Sequence, residues 1–112
     1  MSGRRWMAIV AALLLGTSVT PAARAASEAE IERLSSLALL LGRGIGCNLQ
    51  TKRAAAVIGG WFDKTFPPGS EAQERYLPVF AEEVEQHARQ QRTGGSPDSC
   101  ADVAHAFYTM RW

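Results

Sequence analysis

Two cysteines, two histidines and a few carboxylates are the residues of this chain that could carry chemistry. Cys47 and Cys100 lack the Cys-x-x-Cys spacing that lowers a thiolate pKa, and no cluster of metal ligands sits beside either one. Redox catalysis and a structural zinc site are therefore not indicated. Glu83 with His87, and Asp102 with His105, each place two ligand-type side chains on one helix face, as a metal site in a helical bundle would require. His87, however, follows Leu77, Phe80 and Val84 on the inward or flanking arc, whereas His105 shares a face with Asp102 and Thr109, opposite Cys100, Val103 and Phe107. With one histidine turned to the seam and the other away, the pattern predicts a partly buried His87, a surface pair of Asp102 and His105, and no metal. No hydroxyl has a base and an orienting acid at a recognisable spacing, and nothing resembles a nucleophile elbow. The expectation is a protein without catalysis and without a cofactor.

The elements that must position these residues are helices, since no segment alternates with period two for long enough to propose a strand. The first is predicted over 27–46. Ser27 and Glu30 form a capping box, and Ile31, Leu34, Ala38, Leu41 and Ile45 recur at spacings of three and four. Gly42, Gly44 and Gly46 loosen this helix, and Cys47-Asn48 ends it. These glycines follow a helical pattern where a phosphate-binding loop would need a strand before them. A second helix is expected over 49–66, with Ala54, Val57, Ile58, Trp61, Phe62 and Phe66 on one face and Gly60 near that face, placed to permit a close crossing or a kink. Pro67-Pro68-Gly69 reads as a turn. The third helix, 71–93, opens on a capping box of Ser70 and Gln73, turns Tyr76, Leu77, Phe80, Val84 and Ala88 inward, and is kinked or split at Pro78. The fourth, 97–111, starts with Ser96 as cap and Pro97 in the first turn, and buries Cys100, Val103, Phe107 and Met110. Short connections imply neighbours packed roughly antiparallel, so the fold class is all-α, a small four-helix bundle-like domain.

The chain has 112 residues, enough for one domain. Its first 25 residues have the three-part layout of a cleaved signal peptide: Arg4-Arg5, an apolar run from Met7 to Leu15, then small residues at Ala23 and Ala25. Cleavage is expected between Ala25 and Ala26, leaving residues 26–112 as a periplasmic or secreted domain with no stable membrane span. In an oxidising compartment the only two cysteines become a disulfide between Cys47 and Cys100, closing a long loop on a chain whose core is small. Losing Arg4, Arg5 and Arg24 leaves nine basic residues against 11 acidic ones, which is no footprint for nucleic acid. Eight large rings remain, grouped at the end of the second helix and at the chain terminus. Most fill a core, but Tyr108, Met110 and Trp112 are candidates for a patch that meets another envelope or secreted protein.

In plan, a cleaved signal, a short helical chain and one long-range disulfide through Cys47 and Cys100, the sequence resembles the small periplasmic acid-stress chaperones of the HdeA and HdeB type. It is similar in the same way to secreted-toxin immunity proteins. Two functional expectations follow. The first is a non-catalytic accessory, binding or immunity-type role through protein–protein contact. The alternative, which the resemblance implies, is a chaperone whose packing opens in acid as its carboxylates become protonated.

Overall fold

The computed structural model describes residues 26–112; the expected signal segment, 1–25, lies outside them. Four helices make up the fold: α1 (Glu28–Gly46), α2 (Lys52–Thr65), α3 (Glu71–Thr93) and α4 (Cys100–Thr109), with no strand among the described residues. α1 is the hub and packs against the other three, most extensively against α3. Its buried stripe of Leu34, Leu37, Ala38 and Leu41 meets Ala54, Ile58 and Phe62 of α2, Phe80 of α3 and Phe107 of α4 in one core.

Local chemistry accounts for most helix ends. Ser27 Oγ accepts from the Glu30 N–H while Glu30 Oε1 accepts from the Ser27 N–H, completing the capping box. α1 stops in a Schellman turn. Asn48 takes the left-handed conformation at φ 58°, its N–H donates to Ile45 O, and the Leu49 N–H donates to Gly44 O. That turn delays α2, which begins at Lys52 and not at Leu49. At the next junction Ser70 Oγ accepts from the Gln73 N–H, but the Gln73 amide reaches to Phe66 O and Asp63 Oδ1. Gln73 thus closes the end of α2 where a second capping box was expected. α4 begins three residues later than Ser96 and Pro97 suggest, because Ser96 is used in a turn with the Asp98 N–H and Ser99 supplies the cap to Asp102 N–H. It also ends earlier: Met110 is already extended.

Pro78 neither splits nor ends α3, which runs unbroken through it to Gly94, a left-handed C-cap. Three apolar side chains of the periodic stripes stay substantially exposed and outside the core: Ile31, Val57 and Leu77 are 37%, 41% and 48% exposed. Cys100, expected to point inward, is exposed as well. The close crossing expected at Gly60 is absent, since a Cβ added there would have nothing within 4 Å.

The close crossings belong instead to the glycines of α1. A Cβ on Gly42 would lie 2.5 Å from Val84 O and 2.7 Å from His87 Cβ, and one on Gly46 would lie 2.7 Å from Ala88 O and 2.6 Å from Gln91 Cβ. The two helix backbones are in contact, and only glycine leaves room. Because residue numbers rise together along this seam, α1 and α3 run parallel, as two successive antiparallel neighbour pairs require. Phe62 pairs with Phe80 and Phe66 stacks on Tyr76, at centroid distances of 5.3 and 5.2 Å, so α2 runs antiparallel to α3 and hence to α1.

Two glycine substitutions should therefore move stability in opposite directions. Gly42→Ala is expected to destabilise by about 1–3 kcal/mol through overpacking, and Gly60→Ala to stabilise by roughly 0.5–1 kcal/mol through helix propensity. Urea unfolding of both variants measures this.

Candidate functional site

The last turns of α1 hold α4 by several independent contacts. Cys47, at the C-cap of α1, is bonded to Cys100, the first residue of α4. Beside the bridge, Arg43 pairs with Asp98, and the Gln91 amide donates to Asp98 O at 2.9 Å and to Cys100 Sγ at 3.6 Å. Asp98 thus ties α1, α3 and the start of α4 together. At the other end of α4, the Phe107 ring lies on the backbone of Gly44, where a Cβ would come within 2.7 Å of Phe107 Cε2. From Cys100 to Phe107 a helix advances about 10 Å, whereas Gly44 and Cys47 are within one turn. α4 must cross α1 rather than run along it.

That crossing throws the chain end over the start of α2 and builds a recess of about 500 Å³. Its apolar wall is Phe107, Tyr108, Met110 and Trp112, and its charged side chains are Arg53 and Arg111. The wall is held by its own hydrogen bonds. Trp112 Nε1 donates to Phe107 O at 2.9 Å and the indole tilts against the Phe107 ring at 5.2 Å, while Tyr108 OH accepts the Gln50 N–H at 3.0 Å. Phe107 is buried, Met110 and Trp112 are half-buried against the core, and Tyr108 is 56% exposed. The three residues singled out from the sequence are thus brought together. Trp112 is pinned back as part of the floor, and Tyr108 is the ring that faces solvent.

The charged side chains that line the recess are both positive. Thr51, the N-cap of α2, makes no side-chain capping bond, and the first turn carries Lys52 and Arg53 with no acid. Neither Arg53 nor Arg111 meets a carboxylate among the described residues. Asp98 and Asp102 line a separate cavity with Arg43 and Leu39. A third depression, between α1 and α3, is lined by Leu41, Ile45, Phe80 and Val84 and carries Glu85 and Arg92, so its charges are balanced.

The histidines are not brought together. His87 is half-buried at the α1–α3 seam, with Nδ1 buried and without a hydrogen-bond partner, and His105 is exposed on α4. Among the described residues no three His, Cys, Asp or Glu side chains are grouped as a metal site would need. Periodicity alone does not single out Gln50 and Arg53, because they reach the aromatic tail from a distant part of the chain, or Arg111, which lies within that tail but beyond the end of α4. A signal was available in the charges: no acid occurs between Arg43 and Asp63 or after Asp102, and these two stretches form the recess. Arg43 and Asp98, opposite charges that each precede one of the two cysteines, could have been paired in the same way.

No family model, curated protein or solved structure matches this chain. No helix among the described residues is long and apolar enough to cross a membrane.

The wall residues should separate by role. Trp112→Ala removes a ring packed on Phe107 and is expected to cost about 1–3 kcal/mol. Tyr108→Ala removes a mostly solvated ring and should stay within about 0.5–1 kcal/mol of the parent. Urea midpoints of the two variants give the comparison.

Proposed function

We propose that this chain is exported, trimmed between Ala25 and Ala26, and acts without catalysis by docking another envelope or secreted protein at the recess formed by α4, the chain end and the start of α2. The observation that carries the reading is the exposed Tyr108 ring standing on a floor of packed Phe107 and Trp112 beside two arginines that meet no carboxylate side chain among the described residues. Tyr, Trp and Arg are the residue types that dominate binding energy at protein interfaces, and they do so from rigid, partly desolvated positions. The hydrogen bonds of Trp112 and Tyr108 supply that rigidity in advance, so little side-chain freedom is lost on binding. The Cys47–Cys100 bridge supports the export reading, since disulfides persist in oxidising compartments.

A photo-cross-linker placed at position 108 in the producing cell tests this. A discrete adduct with one identifiable envelope or secreted protein is expected, weakened by Arg53→Glu and absent when the cross-linker sits at the exposed position 82. Equal, diffuse labelling from positions 108 and 82 contradicts docking at the recess.

A further inference from the structure

We infer that the occupant of this recess is an acidic, apolar segment of the partner, one that presents a carboxylate side chain next to a large apolar one. The inference rests on the docking reading above and adds the chemistry of what docks. It starts from charge segregation. The described chain is acidic overall, yet the residues lining the recess come from the two acid-free stretches of the sequence, so the field at its mouth is set by Lys52, Arg53, Arg111 and the uncompensated positive end of α2. A basic segment would meet like charge from both lining arginines. A purely apolar one would leave two guanidinium groups beside it with poorer access to water and no acceptor, which is costly. A carboxylate between Arg53 and Arg111 accepts charge-assisted hydrogen bonds from them, and an adjacent apolar side chain covers Tyr108 and the Trp112–Phe107 floor.

The recess differs in this respect from the two depressions described above. The α1–α3 groove carries one charge of each sign, and the cavity by Leu39 already holds its own Arg43–Asp98 pair. At the chain end, apolar rings coincide with two arginines that have no carboxylate side-chain partner among the described residues, and no acidic side chain lines the recess.

The experiment uses the disulfide-bonded protein as isolated and a fluorescently labelled short peptide alternating Glu with Leu and Phe, read by anisotropy. Its controls are the same peptide with Gln for every Glu, the same peptide with Lys for every Glu, and dodecanoate as an anionic lipid competitor. The Glu peptide is expected to bind at least about tenfold more tightly than the Gln peptide, the scale of one or two charge-assisted bonds. The Lys peptide should not bind, and the preference should shrink at high salt. Arg53→Gln together with Arg111→Gln, both at exposed positions, should erase the Glu preference while leaving the urea midpoint unchanged. Equal binding of the Glu and Gln peptides overturns the acidic assignment and leaves docking standing. So does failure of both peptides while the position-108 adduct still forms. Dodecanoate that binds more tightly than the Glu peptide and displaces it overturns the assignment in favour of a lipid anion.

Discussion

The bond between Cys47 and Cys100 is the constraint on which the rest of this structure depends. α4 has ten residues, and a helix that short is marginal in water without external support. It nevertheless carries Phe107 into the core and leads the chain end to the recess. The bridge fixes its first residue to the C-cap of α1, and the cysteines are 53 positions apart, so a long loop is closed in the unfolded chain as well. In the loop-entropy picture that closure is worth roughly 4 kcal/mol, a large part of the stability a domain of this size can have. The Arg43–Asp98 pair beside it has nearly half of the aspartate side chain in solvent and adds little, on the order of 0–1 kcal/mol.

The second constraint is steric. Gly42 and Gly46 let α3 lie directly against the backbone of α1, and Gly44 lets the Phe107 ring do the same from another side. Three glycines in five residues weaken a helix by propensity, but here each missing Cβ is occupied by a neighbour. The loss in helix preference is offset by close contact, and the same few residues end in the Schellman turn that presents Cys47 to α4. Helix termination, two helix crossings and the disulfide are thus concentrated within the last two turns of α1.

Much of this was legible in the sequence, and the misses have physical causes. Ser27 with Glu30, the Cys47-Asn48 stop and the cysteine pair are local or compartmental signals, and each appears as read. Apolar periodicity correctly picked Leu34, Ala38, Leu41, Ala54, Ile58, Phe62, Phe80 and Phe107 for the core. It failed for Leu77 and Val57, because period places a residue on an arc without saying whether another element covers that arc. The glycines of α1 read as loosening because propensity measures an isolated helix, while their role is set by Val84, Ala88, Gln91 and Phe107 far along the chain. Ser96 and Ser99 are rival caps, and the choice between them rests on Asp98 being held by Arg43 and Gln91. The recess is non-local in the same sense: Tyr108, Met110 and Trp112 stood out by type, but Gln50 and Arg53 join them only after α4 has crossed α1.

Urea unfolding of the protein before and after selective reduction of Cys47–Cys100 tests the central claim most directly. A bundle held by this bond should lose roughly 3–5 kcal/mol on reduction. Coincident unfolding curves for the oxidised and reduced protein would show that burial alone holds α4 in place, and would remove the basis of the account.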